Sequence, residues 1–66
     1  MPSNTRGKIK EHLEGCHRNT EAIKAHNNQI LGLVADKNPK VTKAVTNLLE
    51  VNQILDDFLM KLYGQI

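Results

Sequence analysis

Apolar and small side chains recur along the first half of the chain in alternating steps of four and three: Ile9, Leu13, Cys16, Thr20, Ile23, Asn27, Ile30 and Val34. The second half keeps the same rhythm with Val41, Val45, Leu48, Asn52, Leu55, Leu59, Leu62 and Ile66. Such spacing holds side chains on one stripe of an α-helix, and over many turns it forms a coiled-coil seam. Asp36-Lys37-Asn38-Pro39 separates the two runs. Folding the chain back there sets Val34 against Val41, Ile30 against Val45, Asn27 against Leu48 and Ile23 against Asn52. Thr20 then faces Leu55, Cys16 faces Leu59, and Leu13 faces Leu62. The pattern predicts an all-α fold, a coiled-coil-like antiparallel two-helix hairpin in one domain.

The boundaries follow from local chemistry. Residues 1–4 read as a frayed tail, with Ser3, Asn4 or Thr5 offering a capping oxygen. A first helix is expected over about 4–35, a turn over 36–38 and a second helix over about 39–63. Asn38 is a good N-cap, Pro39 suits the first helical position, and proline pushes the residue before it out of the helical region. Gly64 reads as a C-terminal stop. Gly15 would end a short first helix if Asn19 or Thr20 capped another, but the spacing runs through it unbroken. The expectation is one long helix, bent at most near Gly15, whose first turns overhang the shorter arm.

The apolar surface is wider than one seam. Ala44, Val51 and Phe58 form a second row on helix two, Leu49 flanks the other side, and Leu31 and Leu33 add to helix one near the turn. One partner helix covers only a narrow stripe. At 66 residues with a single cysteine, the chain has neither a large core nor an internal disulfide, and small domains commonly add a partner subunit. The sequence therefore predicts a homodimer, or a higher homo-oligomer, built as a four-helix bundle. Val45, Leu48, Val51, Leu55, Phe58 and Leu59 would form its core and interface. Asn27 and Asn52 would be polar core residues that set the register, because a buried amide is costly unless hydrogen-bonded yet specifies alignment. Cys16, on the seam, is expected to behave as a small buried hydrophobe.

Candidate chemistry adds little. The net charge of +2 and 3% aromatic content are far from those of a typical nucleic-acid-binding domain. The polar opening residues carry no apolar signal segment, no run is long enough to span a bilayer, and a lone thiol suits the cytoplasm. Glu11, His12, Glu14, Cys16, His17, Glu21 and His26 concentrate metal-capable groups on helix one. Glu14-x-x-His17 has the spacing used in di-iron bundles. These groups flank the seam, however, and helix two supplies an inward carboxylate only if Glu50 or Asp56 rotates. Glu11-x-x-Glu14 resembles half of the carboxylate pattern of all-α nucleotide pyrophosphatases, but the other half is missing, since Glu50 is followed at that spacing by Gln53. No catalytic, cofactor-binding or metal-ligating residue is assigned. The expected function is a non-enzymatic protein-binding and oligomerisation module. The alternative is a nucleic-acid accessory protein using Arg6, Lys8, Lys10, Lys37, Lys40 and Lys43.

Overall fold

The computed structural model describes residues 3–35 and 37–66; Met1, Pro2 and Asp36, which carry part of the expected tail and turn, lie outside the described residues. Two helices, α1 (Ser3–Val34) and α2 (Pro39–Gln65), pack against each other as a hairpin. α1 is continuous through Gly15, where an added Cβ would meet only the tip of Arg18 at ordinary contact distance. α2 continues through Gly64 and closes on Ile66, whose N–H donates to Tyr63 O over 3.3 Å. Glycine without positive φ is simply a weak helical residue, and two more residues of helix cost little there.

The turn is built by capping at both ends. α1 stops at Ala35, which takes a left-handed φ of 46° while its N–H donates to Leu31 O. Lys37 N then donates to Val34 O over 2.8 Å. Asn38 caps α2: its Oδ1 accepts from Val41 N over 3.2 Å, its carbonyl accepts from Thr42 N, and Pro39 follows in the first turn. Thr42 Oγ1, within 3.3 Å of both Ala35 O and Asn38 O, ties the start of α2 to the end of α1.

The helices meet along rows other than those the spacing singled out. The row of half-buried or buried positions along α1 runs through Leu13, His17, Thr20, Asn27, Leu31 and Val34, and along α2 through Val45, Leu49, Asn52, Asp56, Leu59 and Tyr63; Ile9, Lys10, Gly15, Val41 and Thr42 are half-buried as well. Each helix keeps one expected row and exchanges the other for its neighbour one residue later. His17 and Leu31 replace Cys16 and Ile30, and Leu49, Asp56 and Tyr63 replace Leu48, Leu55 and Leu62. At 100° per residue this turns the contact line by about 50° on each helix. Cys16 is therefore exposed, not buried, and Leu48, Leu55 and Leu62 face outward. The register stays within a turn of the expected one, since Thr20 meets Asp56 and Glu14 meets Tyr63.

The contact contains very little core. Val45, 5% exposed, is the one buried apolar residue among those described, whereas Thr20 and Asn27 are buried at 3% and 6%. The hairpin extends 53 × 15 × 11 Å with a radius of gyration of 15.6 Å, against about 11 Å for a compact chain of this length. Among the described residues, no helix is long and apolar enough to cross a membrane.

Candidate functional site

Two features stand out, a polar layer between the helices and an apolar face beside them. In the layer, His17 Nδ1 lies 2.6 Å from Asp56 Oδ1. Thr20 Oγ1 has two acceptors in reach, Asp56 Oδ1 at 2.7 Å and His17 O at 2.8 Å, for its single proton. Asn52 Nδ2 donates to Thr20 O over 2.9 Å. His17 and Thr20 are three apart on α1 and Asn52 and Asp56 four apart on α2, so each pair shares a face. The hydrogen bond to Asp56 raises the His17 pKa above its usual value; burial opposes it in part, and the charges of Asp56 and then Glu21 add smaller upward effects. Reciprocally, hydrogen bonds from His17 and then Thr20 hold the Asp56 carboxyl below the usual range. These groups balance each other's charge across the helix pair.

Glu21 brings a third potential ligand, and donor atoms of His17, Glu21 and Asp56 lie within 4.8 Å of one another. His17 Nδ1 is already bonded to Asp56, so this pair bridges the helices. A turn away, Tyr63 donates its hydroxyl to Glu14 over 2.9 Å, which raises the tyrosine's pKa, and Lys10 Nζ sits 5.2 Å from the centre of its ring. Leu13, His17, Arg18 and Met60 line the open cleft beside this contact.

The second feature is apolar. Leu48, Val51, Leu55, Phe58 and Leu62 are all exposed, Val51 and Phe58 at 64% and 63%. With Ala44 they form an unbroken row in steps of four and three. Every member stands one residue before a member of the contact row (Leu48 before Leu49, Leu55 before Asp56, Leu62 before Tyr63), so this row lies about 100° round the helix. On α1 the row one residue before the contact row holds His12, Cys16, Asn19, Ile23, His26, Ile30 and Leu33, again exposed. Because the helices run in opposite directions, stepping back one residue swings both rows to the same side of the hairpin. The result is one two-helix face.

Of the six residues expected at the core and interface, Val45 and Leu59 thus lie in or beside the hairpin contact, while Leu48, Val51, Leu55 and Phe58 lie on the open face. Asn27 is buried and Asn52 bridges the helices. The six cations divide: Arg6, Lys8 and Lys10 stand at the open end and Lys37, Lys40 and Lys43 at the turn. The His17–Asp56 bridge went unseen in the sequence because the longer apolar row, not its polar neighbour, set the stripe. Sliding the paired rows one residue later on both helices would have shown it, since that places His17 near Asp56. No protein-family model, curated protein or solved structure matches the chain.

Proposed function

We propose that the chain is a non-enzymatic self-association module in which two hairpins lay their apolar faces together as a four-helix bundle. The observation that carries this reading is the exposed row on α2, set about a right angle from the contact with α1. In a four-helix bundle each helix has two neighbours at roughly that angle, and α2 offers a suitable row to each.

Surface area supports it. A folded monomer of 7.4 kDa is expected to expose about 4,200 Å². This hairpin exposes 5168 Å², an excess of about 1,000 Å². Stable interfaces bury about 800 Å² per partner, so a second copy accounts for the excess. The cations give less support to nucleic-acid binding, being divided between the ends of a rod 53 Å long.

Light scattering on the purified chain tests the reading, the expected mass being twice 7.4 kDa. Phe58→Asp removes about 1.5–3 kcal/mol of apolar burial from each copy and should weaken the dimer at least ~100-fold, releasing monomer of low helicity. A wild-type monomer at high micromolar concentration would overturn the proposal. A monomer that binds DNA or RNA with an affinity falling steeply with salt would replace it with the accessory-protein reading.

A further inference from the structure

Two hairpins can stack face to face in two ways, and the side chains on the open face discriminate between them. With both turns at the same end, α2 of each copy lies beside α1 of the other. With the turns at opposite ends, α2 lies antiparallel to the partner's α2, and α1 to the partner's α1. Resting on the self-association proposed above, we infer that the second copy docks with its turn at the opposite end.

Averaged over the contacts of His17 and Thr20 with Asp56, Thr20 with Asn52 and Glu14 with Tyr63, the hairpin register makes Ile23 level with Asn52. If the turns shared an end, Leu48 would face the partner's His26, Leu55 the partner's Asn19 and Leu62 the partner's His12. Three leucines would each bury a polar group with no partner, which is costly. With the turns opposed and the two-fold axis at the midpoint of the α2 row, beside Gln53, Leu48 meets the partner's Phe58. Val51 meets the partner's Leu55, and Ala44 meets the partner's Leu62.

Every layer of that α2 pair is apolar, and it sets a smaller side chain across from a larger one, which is how facing positions fill space evenly. The same axis sorts the α1 row. Ile23 meets its own copy, Cys16 meets the partner's Ile30, and Asn19 meets the partner's His26. Apolar groups thus face apolar groups and the one amide faces an imidazole able to bond it, except at the outer ends of the row, where His12 meets the partner's Leu33. A single two-fold axis serves both helices to within one residue, about 1.5 Å along the helix, although the α2 row alone was used to place it.

The turns then lie far apart. Lys37, exposed at the turn, is about 24 Å along the bundle from that axis at 1.5 Å per residue, so the two copies' Lys37 positions are about 50 Å apart. Turns at one end would bring them to about 11–14 Å, the diagonal of a bundle with 8–10 Å helix spacing.

Cys16→Ala combined with Lys37→Cys leaves one thiol for a nitroxide label, and the distance between labels can be read by double electron–electron resonance. Light scattering on the same labelled sample reports its mass. A dimer with a distance near 50 Å is expected. A dimer with a distance under about 25 Å would overturn the opposed arrangement and leave self-association standing. A monomer showing no dipolar modulation, reproduced for the unlabelled wild-type chain, would overturn self-association and with it this inference. If only the variant is monomeric, a second variant that retains Cys16 and carries Lys37→Trp with 5-fluorotryptophan answers the question by fluorine contacts between turns. Contacts there overturn the opposed arrangement, and their absence in a dimer supports it.

Discussion

His17 and Asp56 occupy positions that a two-helix seam would ordinarily give to leucine, and their mutual charge makes the hairpin sensitive to pH. His17 has a raised folded-state pKa, so its contribution is fully present below its unfolded value and is lost as pH rises through the folded value. Asp56 has a lowered folded-state pKa, so its contribution is present above its unfolded value and is lost as pH falls through the folded one. The pair therefore contributes most in the window between the usual carboxylate and imidazole ranges, around pH 4 to 6.5. Thermal melts should show a higher Tm at pH 5.5 than at pH 8.5, and His17→Ala should shrink that difference. An unchanged difference in the variant would show that the bridge adds nothing in solution. Asn52 is a quieter case: its bond to Thr20 O reaches a carbonyl that already serves its own helix, so it aligns the arms more than it holds them.

At the scale of elements, the hinge and the two helices follow from short-range chemistry. Asn38 caps and Pro39 starts α2 because those side chains are suited to those positions whatever surrounds them. Among the described residues the one with a left-handed backbone and a side chain is Ala35, whose φ of 46° places a Cβ in that region at a cost of roughly 1–2 kcal/mol. Glycine relieves that strain at some cost in chain entropy. Ala35→Gly should accordingly raise unfolding free energy by about 0.5–1 kcal/mol in urea titrations; a loss of stability would show that the turn needs the alanine methyl. Which stripe of each helix touches the other was less legible. Leu48, Leu55 and Leu62 continue the row through Val41 as naturally as Leu49, Asp56 and Tyr63 continue the row through Thr42, and the hairpin contact uses the second, less apolar of the two. That contact lies about 50° round from the expected line on both helices.

At the scale of the molecule, that rotation has a consequence for folding. One buried apolar side chain among the described residues is too little to offset roughly 1–2 kcal/mol of backbone entropy per residue, so folding should be coupled to association. Its signature is a melting temperature that rises with concentration. A 100-fold increase in protein concentration is worth about 2.7 kcal/mol, or on the order of 10 °C for two chains of this length. A Tm independent of concentration between about 1 and 100 µM, the range in which small dimers dissociate, would mean the hairpin stands by itself.

The sequence by itself determined that the chain is two helices, where they are hinged, how far along each other they align, and that the apolar surface exceeds what one neighbour covers. These depend on spacing, on capping and on proline geometry, all local along the chain. Only the tertiary structure decided which rows meet inside the hairpin and which are left outside. A stripe three positions wide in every seven can be approached from either edge, and spacing alone does not distinguish the edges. The polar bonds among His17, Thr20, Asn52 and Asp56 close only when the arms approach from one side. That approach turns Leu48, Leu55 and Leu62 outward with Phe58 onto the face where the proposed second copy would sit.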